Sequence, residues 1–116
     1  MIEIGLPWPP TVNHYYGTGA RGRRYIKKEG VAYRLAVKVA MLQGRHKPLD
    51  GPLAVTILAY PPDRRRRDID NINKALLDAL QHAGAYRDDC QIVKLTSEKR
   101  DPIPGAGCVR VTIEEA

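Results

Sequence analysis

The sequence predicts an α+β fold: a single domain in which a mixed sheet carries two packed helices, in the order β-α-β-α-β-β. Three observations lead there. The run from Leu53 to Tyr60 is apolar and rich in β-branched residues, as in a central strand; two other segments show helical spacing of aliphatic residues; and prolines and glycines punctuate the joints. No repeat, linker or low-complexity stretch interrupts the 116 residues, so residues 1–116 are expected to form one domain. A chain of this length supports one modest core, and a second copy is a common way to complete burial, so a homodimer is expected.

The chain opens on Ile2, Ile4 and Leu6 alternating with Glu3 and Gly5, a short strand that Pro7, Pro9 and Pro10 terminate. Thr11 to Lys28 mixes glycines, tyrosines and basic residues without a burial period, and reads as a loop or loose hairpin. Its interleaved Tyr15, Tyr16, Arg21, Arg23, Arg24 and Tyr25 suit nucleic acid, because rings stack on bases while guanidinium groups meet phosphates. Local packing of the tyrosines is the competing reading. From Glu29 to Arg45 the spacing is helical, with Val31, Leu35, Val39 and Leu42 as the expected core face and Arg34, Lys38 and Arg45 as a basic outer stripe.

Leu53 to Tyr60 is apolar on both faces, which predicts a strand covered on both sides. Pro61 and Pro62 end it and lead into Asp63-Arg64-Arg65-Arg66-Arg67-Asp68-Ile69-Asp70. A second helix is expected from about Asp70 to Ala83, with Ile72, Leu76, Leu80 and Ala83 inward and Gly84 closing it. Gln91 to Lys99 and Cys108 to Glu114 supply the last two strands.

Lysine and arginine outnumber aspartate and glutamate by 19 to 13, a net charge of +6. Residues 1–50 hold nine basic and three acidic residues, whereas residues 51–116 hold ten of each. The first half therefore reads as a polyanion-binding surface, and the second adds carboxylates that binding alone does not need. No apolar run approaches the roughly 20 residues of a membrane span, and Met-Ile-Glu-Ile does not start a signal peptide. Cys90 and Cys108 lack metal-ligand spacing, which points to structural thiols and a reducing cytoplasm. The absence of a Gly-rich phosphate loop argues against an organic cofactor, and no histidine pairs with a serine or cysteine at a recognisable nucleophile elbow.

Asp68 and Asp70 stand two apart at a strand-to-helix junction, where extended backbone can aim both carboxylates at one point. One of them is expected to cap the helix as well. Lys74 follows Asp70 by four residues, one helical turn away and within reach of a shared anion. Asp88 and Asp89 form a second acidic pair before the third long strand, and Asp89 is expected to return towards Asp68 and Asp70. Three converging carboxylates require a cation, and Mg²⁺ or Mn²⁺ suits oxygen ligands. Such a site would activate water for attack on a phosphodiester, with Lys74 or an arginine stabilising the charge at phosphorus.

The stretch Leu6-Pro-Trp-Pro-Pro-Thr-Val-Asn13-His-Tyr-Tyr16, the run from Pro62 to Lys74, and Asp88-Asp89-Cys-Gln91 resemble the RusA family of Holliday junction resolvases over nearly the whole chain. The resemblance implies a homodimeric, Mg²⁺-dependent endonuclease, with Mn²⁺ as a substitute. It would bind four-way DNA junctions in the nucleoid of a bacterial or phage-infected cell and make paired symmetrical nicks during recombination and repair. It places catalysis and metal binding on Asp68, Asp70 and Asp89, a catalytic lysine on Lys74, and DNA contact on Arg67, which Arg64, Arg65 and Arg66 extend. Asn13, Tyr15 and Tyr16 match the family's N-terminal motif and join Arg23 and Arg24 as expected DNA contacts. Leu77 departs from the pattern, standing where a family member carries an aromatic side chain. A non-catalytic basic nucleic-acid-binding module and a nuclease for other branched DNA are the alternatives.

Overall fold

The computed structural model describes residues 1–116. Its elements are β1 (Ile2–Pro7), α1 (Val12–Tyr15), β2 (Tyr16–Thr18), β3 (Arg24–Ile26), α2 (Lys28–Gln43), β4 (Leu53–Tyr60), α3 (Asn73–His82), β5 (Ile92–Lys99) and β6 (Cys108–Glu115), with 3-10 turns at Ala20–Gly22 and Asp89–Gln91. The four long strands form one mixed sheet in the order β1-β6-β4-β5. β6 pairs antiparallel with both β1 and β4, whereas β5 runs parallel to β4 because α3 carries the chain back between them. The order exceeds the expected one: the segment read as a loose hairpin contains the one-turn helix α1 and the two-stranded β2–β3 ribbon.

Alternation sorts each strand cleanly. Ile2, Ile4 and Leu6 of β1, Leu53, Val55, Ile57 and Ala59 of β4, and Val109, Val111 and Ile113 of β6 all point to one face and are buried there. Ala75, Leu76, Ala79 and Leu80 of α3 close over that face. The other face of β4, from Ala54 to Tyr60, is half-buried or exposed at every position, so the expectation of a strand covered on both sides is corrected to a two-layer arrangement. Alanine and threonine at 54 and 56 are small or polar enough to stand against solvent.

α2 contradicts the expected core face. Its buried residues are Gly30, Tyr33, Val37 and Met41, while Val31, Leu35, Val39 and Leu42 face out, Leu35 being 62% exposed and Val37 fully buried. Two stripes at helical spacing compete here, and tertiary contacts choose between them. At Gly30 an added Cβ would lie 2.8 Å from the Tyr15 carbonyl, so glycine permits the helix to approach α1. Tyr33 then donates from its hydroxyl to the carbonyl of Pro7 at 2.8 Å, tying α2 to the end of β1. Burial pushes the Tyr33 hydroxyl pKa far above its usual value, so it stays a donor. No helix is long and apolar enough to cross a membrane, and Cys90 and Cys108 are unpaired.

Candidate nucleic-acid and metal site

The stretch between β4 and α3 leaves the sheet at Pro61 and is braced from behind by the β5–β6 loop. Ile103 N–H donates to the Pro61 carbonyl at 2.8 Å and Gly105 N–H to that of Pro62 at 3.1 Å. Gly107, at φ 64°, sits where an added Cβ would be 2.7 Å from the Pro62 nitrogen, so a side chain there would push the root of the loop away.

Within the loop Asp63 is the organiser. Its carboxylate accepts from the Arg65 backbone N–H at 2.9 Å and pairs with the Arg67 guanidinium at 2.7 Å. The Arg67 hydrogen bond, followed by that of Arg65, holds the Asp63 pKa down at about 2. Arg67 also lies over the Trp8 ring at 5.8 Å, and the Lys99 ammonium caps its carbonyl. Its side chain is only 22% exposed, against 82% for Arg65. Arg64 and Arg66 are exposed and enter no ion pair. The four arginines are thus unequal: one shapes the loop, and the others extend from it.

Asp68 and Asp70 are exposed, and neither carboxylate enters an ion pair. Neither caps the helix, correcting that expectation: α3 begins later than expected, its N-cap is Ile72, and no side chain caps it. Asp68 and Asp70 contribute only their backbone carbonyls, which accept from Asn71 N–H at 3.3 Å and Asn73 N–H at 3.2 Å. Lys74, in the first turn of α3, does not pair with Asp70; its ammonium lies 5.5 Å from the centre of the Tyr16 ring.

Asp89 lies elsewhere. Its N–H donates to the Gln81 side chain near the C-terminal end of α3, whereas Asp70 precedes the N-terminal end of that helix. Ten residues of helix are about 15 Å long. The parallel register agrees: β5 starts at Ile92 beside Leu53, while the arginine loop leaves the far end of β4 near Lys99. The expected convergence of Asp68, Asp70 and Asp89 therefore does not occur within one chain, and no group of three or more His, Cys, Asp or Glu side chains is placed to hold a metal ion. A parallel strand starts where its neighbour starts, which puts Asp89 at the wrong end of the sheet. Asp88 serves the local backbone instead. Its carboxylate accepts from Cys90 N–H at 2.9 Å in a capping box with Gln91, and that bond lowers its pKa.

The N-terminal motif divides as well. Tyr15, expected to touch DNA, is fully buried. Its hydroxyl donates to Asp78 and accepts from Arg34 Nε at 2.8 Å, while Arg34 pairs with Asp78 at 2.7 Å, so three elements are joined by one network. Burial, followed by the Asp78 hydrogen bond, pushes the Tyr15 pKa well up. Burial pulls the other way on Asp78, but its hydrogen bonds from Tyr15 and Arg34 keep its pKa below the usual carboxylate value. Tyr16 is half-buried, with Arg24 4.6 Å from its ring centre and Lys74 across it. Asn13 and Arg23 are exposed, and the Asn13 carbonyl accepts from Lys27 at 2.9 Å. Sequence reasoning missed Trp8, Asp63 and the Arg34–Asp78 pair. An acid directly before an arginine run was the available signal for Asp63; nothing local links residues 34 and 78.

A family model described as endodeoxyribonuclease RusA matches residues 7–114. The chain is 44% identical to the crossover junction endodeoxyribonuclease RusA of Shigella sonnei over 117 residues, covering 97% of this chain and 93% of that protein. It is 43% identical, with the same coverage, to the proteins of that name from Escherichia coli strain K12 and from Enterobacteria phage 82.

Proposed function

This chain belongs to the RusA family of endodeoxyribonucleases, and from that premise we propose that it is a divalent-metal-dependent endodeoxyribonuclease that resolves four-way DNA junctions by paired nicks. One observation carries the assignment of chemistry to this loop: Asp68 and Asp70 stand exposed beside a run of arginines, consumed neither by ion pairs nor by a helix cap. By contrast Asp63 in the same loop, and Asp78 and Asp88 elsewhere in the chain, all have partners. Free carboxylates beside phosphate-binding cations fit a site whose remaining partner is a metal–phosphodiester pair.

The donor set suits Mg²⁺ or Mn²⁺ in kind. Magnesium usually keeps several waters and takes one or two carboxylates together with substrate phosphates, so a site lacking a three-carboxylate cage in the DNA-free chain fits its chemistry. Asp68 and Asp70 would hold the ion, which supplies Lewis-acid polarisation of the phosphodiester. Arg64 and Arg66 meet the DNA backbone, Arg67 keeps the loop in shape, and Lys74 places positive charge beside the scissile phosphate.

The homodimer belongs to the same reading. In its own chain Asp89 is one helix length from Asp70, so a site using all three aspartates needs Asp89 of a second copy. Val93 and Leu95, exposed on the edge strand β5 just after that acid, supply an apolar surface for the association.

Nicking of a synthetic four-way junction, a flap and a linear duplex, with and without Mg²⁺, tests the substrate class. Preference for the junction supports the proposal; equal cleavage of the flap would favour the broader branched-DNA reading, and junction binding without cleavage would reduce the chain to a binding module. Mixing inactive Asp70→Asn and Asp89→Asn chains tests the shared site. Mixed dimers should regain nicking of one strand, whereas a mixture that stays inactive would place the three acids in a single chain.

A further inference from the structure

Between the Pro-rich turn after β1 and the arginine loop lies a cavity of about 260 Å³. Trp8, Ile69 and Ile72 line it together with charged and polar residues, among them Arg67, Asn71 and Lys99. A volume just under the roughly 300 Å³ at the lower end of small-ligand pockets suits one ring system rather than a dinucleotide. A phosphate would need the cations but no indole, and a purely apolar ligand would need the indole but no amide. An aromatic wall, a planar guanidinium and a free amide together match a nucleobase, which stacks on its faces and hydrogen-bonds at its edge.

The polar groups are already set for such a ligand. Arg67 is fixed in place by Asp63 at 2.7 Å and lies over the Trp8 ring at 5.8 Å, so guanidinium and indole are held as neighbours in the lining of one cavity. Asn71 uses its backbone N–H on the Asp68 carbonyl, while its carboxamide engages no other group of the chain. Asp68 also borders the cavity, so an occupant would lie next to the phosphodiester at the cut.

We propose that this cavity receives one unstacked nucleobase of the bound junction, held against Trp8 and read at its edge by Asn71, and that this contact sets nucleotide preference at the cut. The inference rests on the junction-nuclease reading. It also gives the loop a way to select a position along a junction arm, which phosphate contacts alone cannot do.

Trp8 is the only tryptophan, so its fluorescence reports on the cavity directly. Metal-free binding of a synthetic four-way junction should quench its emission. Replacing one nucleotide at a time by an abasic residue through the cleavage region should abolish the quench at a single position and weaken binding there on the order of tenfold. Changing that nucleotide among the four bases should change the nicking rate, and the exposed Asn71→Ala variant should level those differences. Junction binding with a quench indifferent to every abasic position would overturn the base pocket and leave the nuclease reading intact. Failure to bind the junction even at low salt would overturn both.

Discussion

Two charged clusters flank α3 and are built on opposite terms. On the α2 side, Arg34, Asp78 and Tyr15 satisfy one another within a partly buried triangle that clamps α1, α2 and α3 together. At the N-terminal end, Asp68, Asp70, Arg64 and Arg66 stand exposed, and none of them is in an ion pair. In composition the two differ little. A cluster that closes its own hydrogen bonds adds to the stability of the fold, whereas one left open keeps its charge for a partner from outside. Tyr16 sits between them, next to buried Tyr15 in sequence and facing Lys74 across its ring.

The largest expected effect lies in the open cluster. Asp70→Asn should lower junction nicking by about a hundredfold or more, with junction binding and urea midpoint unchanged. Full-rate cleavage, or a large loss of stability, would erase the contrast. In the closed cluster Arg34→Met should cost about 2 kcal/mol in urea unfolding, because it leaves the Asp78 carboxylate, still bonded to Tyr15, without its cation in a partly buried site, between the values of surface and buried pairs. Its junction affinity, measured at saturating folded protein, should stay near that of the parent chain.

Acid sharpens the comparison next. The Asp78 pKa is lowered from 3.8 in the folded chain, so its contribution is fully present above that value and is lost as pH falls through the lower folded value. The urea midpoint should therefore drop below about pH 4, and Asp78→Asn should flatten that drop; an equally steep fall in the variant would show that other groups control acid stability. The smallest effect belongs to Tyr16. Loss of the ring in Tyr16→Leu should slow nicking about two- to fivefold if the ring positions Lys74, and Tyr16→Phe should restore it, since the ring face rather than the hydroxyl meets the ammonium. Equal rates in the two variants would separate Lys74 positioning from this ring.

Much of the fold was legible in the residues. β4 runs over Leu53–Tyr60 as expected, and the inward Leu76 and Leu80 of α3 were marked by their spacing. α2 was legible as a helix but not in its orientation, because Val31-Leu35-Val39 and Tyr33-Val37-Met41 both repeat every four residues. Larger aliphatics on the outer stripe did not decide the matter; a glycine that admits close approach and a tyrosine hydroxyl with a carbonyl to reach did.

The sequence by itself determined where the four long strands and the two long helices lie, to within a few residues, and which stretch concentrates unpaired charge, because periodicity, proline and glycine act over a few residues. Which distant groups meet was decided only by the tertiary structure. The parallel pairing of β4 and β5 sends Asp89 to the end of the sheet opposite Asp68 and Asp70, the packing of α2 on α3 brings Arg34 to Asp78, and the turn after β1 sets Trp8 beside Arg67. Each of these follows from strand direction and helix packing, which arise from contacts between residues far apart in the chain and leave no local pattern to read.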